Sequence, residues 1–134
     1  MMSIDLDKLR EMLNGVSNSQ ALPVAHLYHF SDLIGEHLVE FCATWDRLPT
    51  AQRRRLARSL LELAEANFEV NFDAIFAHAL YDADAEVRAT AIDGLWENQG
   101  MALIGPLLAM LRSDPSPRVR ADAVSSLGRY VLAG

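Results

Sequence analysis

Histidine and carboxylate residues with metal-ligand spacing are the first places where this chain could do chemistry. His26, His29 and Asp32 follow one another at intervals of three residues, which can gather metal ligands on one side of a helix. The proline and serine around them instead predict that His26 and His29 lie in a loop or at its edge. His37 and Glu40 are also three residues apart, but the Glu-x-x-His pattern of di-iron bundles is missing. We therefore interpret the histidines as surface residues and predict no metal site and no cofactor.

Nucleophilic catalysis has no better candidate. The chain has one cysteine, Cys42, which can form neither an internal disulfide nor a thiolate zinc site with other cysteines. It belongs to an apolar helical stripe that runs from Ile34 to Trp45, which favours a buried thiol and a core tryptophan. The motif Gly-x-Ser-x-Gly and the phosphate-binding Gly-Lys-Ser/Thr are both missing. The sequence predicts a protein that is not an enzyme.

A run of arginines is the most unusual charged feature. It consists of Arg53, Arg54, Arg55 and Arg58. Positive charge in the first turns of a helix opposes the helix dipole, so nearby carboxylates should compensate. We expect Glu62 to pair with Arg58, and Asp46 or Glu40 to pair with Arg53 or Arg54. The alternative is an anion-binding patch for phosphate, nucleic acid or an acidic protein.

Composition and charge narrow the class of partner. The 134 residues carry a net charge of −6, which argues against a general nucleic-acid binder. About half of the chain is apolar, yet no apolar run is long enough to cross a membrane. The N-terminus is acidic and amphipathic and lacks the pattern of a secretory signal, so the expected location is cytoplasmic.

Helical periodicity runs through the whole chain, and about seven helices are predicted with no strand. Residues 1–25 should form one N-terminal helix, capped by Ser3, and a linker around "VSNSQALP". A long helix should open at Ser31-Asp32, and residues 26–134 should form a single helical domain. The connections are short, so successive helices are expected to be antiparallel neighbours.

Two stretches of the C-terminal half repeat each other. "DADAEVRATAIDGLW" at 82–96 returns at 114–128 as "DPSPRVRADAVSSLG". The matched positions are Asp82 with Asp114, Val87 with Val119, Arg88 with Arg120, Ala89 with Ala121, Ala91 with Ala123 and Leu95 with Leu127. Repeats at this period predict an α-solenoid, in which antiparallel helix pairs stack because none can bury its apolar face alone.

The repeated aspartate and arginine predict a ladder of charged contacts between neighbouring repeats. Asp lies in the turn before the second helix of each pair, and Arg lies at the start of that helix. We expect contact between Asp82 and Arg120 or between Asp114 and Arg88.

These residues carry a resemblance. The pattern Asp, four residues, Val-Arg, two residues, Ala, three residues, Leu resembles the bacterial HEAT repeat of the phycobilisome-lyase type over residues 72–128. The longer series "LYHFSDL" (27–33), "RRRLARSLLELAEANFEVNF" (53–72) and "VRATAIDGLWE" (87–97) resembles an uncharacterised group of bacterial HEAT-repeat proteins. The resemblance implies an armadillo-like fold and a generic role in protein binding, with no catalytic residues to transfer.

The resemblance also predicts where a partner would bind. The second helix of each pair usually lines the binding face, and its outward positions here are mostly acidic or polar. These positions are Thr90, Asp93, Trp96, Glu97, Asp122, Ser125 and Arg129. The hypothesis is a non-catalytic scaffold or adaptor that binds a basic or polar segment of another protein. Trp96 is open between packing on the preceding pair and anchoring the partner.

The C-terminal helices suggest a second kind of partner. Relatives of the resembled group continue further, so the chain is expected either to be a fragment or to present an apolar edge at Tyr130, Val131 and Leu132. A homodimer through the C-terminal helices is the corresponding hypothesis.

Overall fold

A computed structural model describes residues 5–17, 23–98 and 100–133 of the chain. Over these residues the chain forms eight α-helices and no strand, which confirms the all-α prediction. The helices are α1 Leu6–Ser17, α2 Val24–Leu27, α3 Gly35–Arg47, α4 Thr50–Ala66, α5 Asp73–Ala79, α6 Ala85–Gly94, α7 Ile104–Ser113 and α8 Pro117–Ala133. Two short 3₁₀ turns, Tyr28–Phe30 and Met101–Leu103, follow α2 and precede α7.

The helices stack in the order that a helical repeat requires. Helix α6 packs between α4 and α8, while α5 packs on α6 and α7 packs on α8. Helix α5, which packs on α6, also contacts α3. The close approach of α5 to α6 depends on Gly94, because a Cβ there would lie 2.6 Å from ring carbons of Phe76. The predicted solenoid of paired helices is confirmed.

Helix α1 covers the first end of the stack. It packs against α3 and α4, and its Leu9 and Leu13 are completely buried. Its first turn is capped by Asp5, whose carboxylate accepts a hydrogen bond from the backbone N–H of Lys8 at 2.8 Å. The predicted Ser3 cap and most of the predicted linker lie outside the described residues. The domain division at residue 25 stays a prediction.

The region before α3 differs from the prediction. Asp32 adopts a left-handed backbone conformation (φ 57°), and α3 begins only after Ile34, which is its N-terminal cap residue. A residue with positive φ cannot continue a right-handed helix, so the predicted start at Ser31-Asp32 is wrong. The predicted loop around His26 and His29 is also wrong, because these residues lie in α2 and the 3₁₀ turn that follows it.

Aromatic side chains fill the first half of the core. Phe30 meets Phe41 edge-to-face at 5.0 Å between ring centroids, and Phe41 stacks on Trp45 at 6.1 Å. Trp45 is 1% exposed, which confirms its predicted place in the core. Cys42 is half-buried rather than buried, and burial together with the charge of Asp46 raises the pKa of its thiol.

One buried carboxylate, that of Asp82, joins three elements of the first half. It lies in the turn between α5 and α6 and accepts a hydrogen bond from the indole N–H of Trp45 on α3 at 2.9 Å. It also accepts from Nε of Arg53 on α4 at 3.0 Å and from the backbone N–H of Asp84 at 2.9 Å. Because its side chain is only 5% exposed, these donors replace the water that the charge would otherwise need.

The same arrangement recurs one repeat later. Arg88 donates from Nε and Nη2 to both carboxylate oxygens of Asp114 at 2.8 Å, which is one of the two contacts that the spacing predicts. Arg88 also donates from Nη1 to the backbone oxygen of Asp82, and Arg120 donates in the same way to that of Asp114. We call the pairs Arg53–Asp82 and Arg88–Asp114 the two rungs of the stack. The alternative contact between Asp82 and Arg120 does not form, because Asp82 bonds to Arg53 on the preceding helix.

Replacing Asp82 by alanine should destabilise the fold strongly. The change leaves the guanidinium of Arg53 and the indole N–H of Trp45 buried without their acceptor, which should lower the free energy of unfolding by about 3 kcal/mol or more. Urea unfolding followed by circular dichroism measures this change.

Asp46→Ala is the matched control. Asp46 also accepts a hydrogen bond, from His78 at 2.7 Å, but its side chain is 63% exposed. Its loss should cost less than about 1 kcal/mol. Equal costs for the two substitutions would contradict the importance given to the buried rung.

Candidate functional site

The arginine run is a row of ion pairs across the stack. Beyond the Arg53 rung, Arg54 donates to Asp84 at 2.6 and 2.9 Å. Arg58 donates to Glu86 at 2.9 Å. Arg55 also has an interaction partner. Of the candidate anion-binding patch of Arg53, Arg54, Arg55 and Arg58, three members thus bond to carboxylates of the α5–α6 turn and of the start of α6.

The partners predicted from the sequence for Arg53, Arg54 and Arg58 are therefore wrong. Glu40 accepts a hydrogen bond from Arg10 on α1 at 2.6 Å, and Asp46 accepts one from His78. Arg58 bonds to Glu86 rather than to Glu62. The reason is that α6 packs on α4 and places its own N-terminal carboxylates beside the arginines. Negative charge at the start of α6 is favoured by the dipole of that helix as well.

The residues predicted to form the binding face do not all lie at the surface. Asp93, Glu97 and Ser125 are exposed, and Asp122 is half-buried beside Arg118. Thr90 is not on the face, because it is buried and its hydroxyl donates to the backbone oxygen of Glu86 at 3.0 Å. Including Thr90 was therefore wrong.

Trp96 lies between α6 and α8 with one side open. Its side chain is 41% exposed, and the guanidinium of Arg129 lies 4.8 Å from the ring centroid. Arg129 also lies 5.0 Å from the ring of Tyr130, whose hydroxyl donates to the backbone oxygen of Asn98. This cation–π contact fixes one face of the indole and leaves its edge at the surface. Of the predicted apolar edge, Tyr130 packs inward, and the side chains of Val131 and Leu132 lie outside the described residues.

The open side of Trp96 lines a groove between α4 and α6. The groove contains two neighbouring cavities of about 680 and 430 Å³, which share Ala64, Phe68, Gly94 and Glu97 in their walls. Its carboxylates are Asp32, Glu65, Glu69, Asp73, Asp93 and Glu97. None of the described residues that line it is lysine, arginine or histidine. We call this surface the acidic groove.

Phe68 stands between the two cavities and is 98% exposed. It follows the end of α4, in the turn that Asn67 forms with its side chain on the backbone N–H of Glu69 at 2.9 Å. Phe68 and the α4 residues of the groove were missed by the sequence analysis, which placed the face on α6 and α8 alone. The spacing of Leu61, Ala64 and Glu65 along one side of α4, continued by Phe68 just after its end, is the signal that could have found them.

Crowded negative charge shapes the electrostatics of this face. Partial burial and then the charge of Asp122 raise the pKa of Asp93, although its outer side remains exposed. The pKa values of Asp84, which caps α6, and of Asp114, which forms a rung, are lowered instead. Hydrogen bonding from Arg54 lowers the pKa of Asp84, and for Asp114 the bonds from Arg88 and from the backbone of Ser116 outweigh burial, so that its pKa is also lowered. The face therefore concentrates negative charge around Asp93, which the positive charge of Arg118 offsets only in part.

No group of three histidine, cysteine, aspartate or glutamate side chains among the described residues is arranged to hold a metal ion. Of the helices described, each is too short or too polar to cross a bilayer.

Comparison with known proteins places this geometry in a repeat class. Residues 72–132, which span α5 to α8, match the family model of HEAT repeats. This match supports a HEAT-repeat protein. No curated protein and no solved structure gives a significant match to the chain. Bacterial origin and the phycobilisome-lyase type stay predictions.

Asp93→Asn should stabilise the protein at neutral pH. A carboxyl group whose pKa is higher in the folded than in the unfolded state weakens folding once the pH rises through that interval. The gain should therefore be present near pH 7 and should vanish as the pH falls to about 4, where the unfolded carboxyl group takes up its proton.

Asp114→Asn should show the opposite dependence of stability on pH, because the pKa of Asp114 is lowered in the folded protein. Asp114 stabilises the fold above the ordinary pKa of aspartate, and this contribution disappears as the pH falls through the lower folded value. Thermal unfolding midpoints of both variants and the parent across this pH range measure the two trends. A destabilised Asp93→Asn variant at pH 7 would contradict the account.

Proposed function

We propose that the protein is a non-catalytic interaction scaffold that binds a cationic segment of another protein in the acidic groove. HEAT repeats commonly mediate protein–protein interaction, and the match over residues 72–132 makes this the first class to consider. The observation that carries the proposal is the groove itself, with six carboxylates around an aromatic side chain that is 98% exposed.

Charge complementarity identifies the kind of segment. A peptide with arginine or lysine side chains would neutralise Asp93 and Glu97 and relieve the repulsion between Asp93 and Asp122. An apolar or aromatic side chain of the same peptide would cover Phe68 and the open edge of Trp96, which supply anchors of the type that dominate binding energies. The segment is thus expected to be both basic and amphipathic.

The structure offers less support for binding of nucleic acid or phosphate by α4. Arg53, Arg54 and Arg58 donate to carboxylates of the α5–α6 turn and of α6, so a phosphate would have to displace three ion pairs. The rung of Arg53 is also buried, with 12% and 5% of the two side chains exposed. We therefore propose protein rather than nucleic acid as the partner, in the cytoplasm.

A basic amphipathic peptide, in which arginine alternates with leucine, should bind the chain, and its affinity should fall as salt is added. A peptide with glutamate in place of arginine should not bind. Phe68→Ser and Glu97→Lys should each weaken binding by about tenfold or more, because the first removes the anchor and the second places a like charge in the groove. Fluorescence anisotropy of the labelled peptides measures these affinities.

Each variant has a matched control outside the groove. Tyr81→Ser removes another aromatic side chain that is 75% exposed, and Glu36→Lys makes the same charge change on α3. Both should leave the affinity within about twofold of the parent. Equal losses in the groove variants and the controls would rule out the acidic groove as the binding site.

A further inference from the structure

The larger cavity of the acidic groove, of about 680 Å³, has both acidic and aromatic side chains in its wall. Its carboxylates are those of Glu65 on α4, of Asp93 on α6, and of Glu97, which follows α6. Its aromatic side chains are Phe68 and Trp96. An occupant of this cavity therefore meets negative charge from two neighbouring helices together with an aromatic ring.

The carboxylates of the larger cavity receive no hydrogen bond from any other residue that the structure describes. In the smaller cavity, by contrast, Asp73 accepts a hydrogen bond from the side-chain amide of Asn98 at 2.8 Å, and Asp32 accepts one from the hydroxyl of Ser31 at 3.3 Å. A carboxylate that loses water on binding needs donors in its place. The larger cavity is therefore the part of the groove that can best receive the donors of a ligand.

Negative charge from both neighbouring helices converges on Asp93. Partial burial raises the pKa of Asp93 first, and the charges of Asp122 on α8 and Glu65 on α4 raise it further. Arg118 acts in the opposite direction, but its side chain is 62% exposed and approaches Asp122 only to 4.0 Å. A cation between Glu65 and Asp93 would thus bind two carboxylates and relieve the repulsion between them.

The molecule itself shows which cation suits two neighbouring carboxylates. Arg54 donates from Nη2 to Asp84 at 2.6 Å, and its Nε lies 3.0 Å from the carboxylate of Glu86, so that one guanidinium bridges two acidic side chains. A guanidinium also stacks on aromatic rings, as that of Arg129 does at 4.8 Å from the ring centroid of Trp96. A lysine ammonium is a compact, strongly hydrated charge that offers neither a planar fork of donors nor a stacking surface.

The ring of Phe68 is open to such stacking. Its side chain is 98% exposed, so one face can lie on a guanidinium while the other receives an apolar side chain of the same segment. One face of Trp96 is already covered by Arg129. Phe68 is therefore the aromatic side chain of the cavity that suits an incoming arginine.

We propose that the larger cavity binds a single arginine side chain of the partner, whose guanidinium bridges Glu65 and Asp93 and stacks on Phe68. The groove therefore selects arginine over lysine at one position of the cationic segment. This proposal rests on the proposed function of the acidic groove and adds the side chain that determines its specificity.

Three peptides of equal length and charge test the selection. In the first, lysine alternates with leucine; in the second, one central lysine is replaced by arginine; in the third, every lysine is replaced. The second should bind about tenfold more tightly than the first, and the third within about threefold of the second, because only one side chain enters the cavity. Fluorescence anisotropy measures the affinities. Equal affinities of the first two peptides, or a gain of the same factor for every arginine, would overturn the proposal.

Conservative substitutions identify the carboxylates of the bridge. Glu65→Gln and Asp93→Asn keep the size of the side chain and remove its charge, so each should reduce the preference for the single-arginine peptide to about twofold or less. Glu62→Gln is the matched control, since it makes the same change one turn earlier on α4, at an exposed residue that is not in the wall of either cavity. The control should keep the full preference. A preference that survives both groove substitutions, or that is lost in the control as well, would contradict the bridge.

The same peptides separate this proposal from the one on which it rests. If all three bind equally and Phe68→Ser weakens all of them, the arginine selection is wrong and the acidic groove remains the site of a cationic segment. If none of the three binds, both proposals are wrong.

Discussion

The buried carboxylate of Asp82 is the interaction on which the rest of the structure depends. It holds the α5–α6 turn against α3 through Trp45 and against α4 through Arg53, and its backbone oxygen accepts from Arg88. One residue thus ties the aromatic core of the first half to the repeats of the second. An uncompensated charge at a site only 5% exposed is costly, so the three donors to the carboxylate must stay in place together. These donors are the indole of Trp45, the guanidinium of Arg53 and the backbone N–H of Asp84, and together they fix the register of α4 on α6.

This constraint also decides which charges are available to a partner. The helix that looks most basic in the sequence directs Arg53, Arg54 and Arg58 at acidic residues of the next pair, where they hold the stack. The carboxylates of the acidic groove lie toward the other end of the α4–α6 contact, and no lysine or arginine is among the described residues that line the groove. The arginine row and the acidic groove are therefore distinct surfaces, and the groove is the one lined by carboxylates.

The sequence predicted the parts of this structure that depend on local repetition. The spacing of Asp82, Arg88, Asp114 and Arg120 was enough to predict the stack and two alternative contacts, of which Arg88–Asp114 forms, because equivalent positions must meet equivalent neighbours. It failed where a contact joins elements without such repetition. Arg53 has no counterpart at the same spacing, so its bond to Asp82 could not be foreseen. Phe68 lies after α4, and only the packing of α4 on α6 places it beside Trp96 in one groove.

The measurement that tests the central claim most directly uses the two tryptophan indole N–H signals in a ¹H–¹⁵N spectrum. Trp96 opens onto the acidic groove, while Trp45 is buried and donates to Asp82 behind the arginine row. On titration with a basic amphipathic peptide, the Trp96 signal should shift and the Trp45 signal should stay, and duplex DNA should move neither. If DNA shifts the Trp45 signal while the peptide leaves that of Trp96 unchanged, the arginine row is the binding surface and the account is wrong.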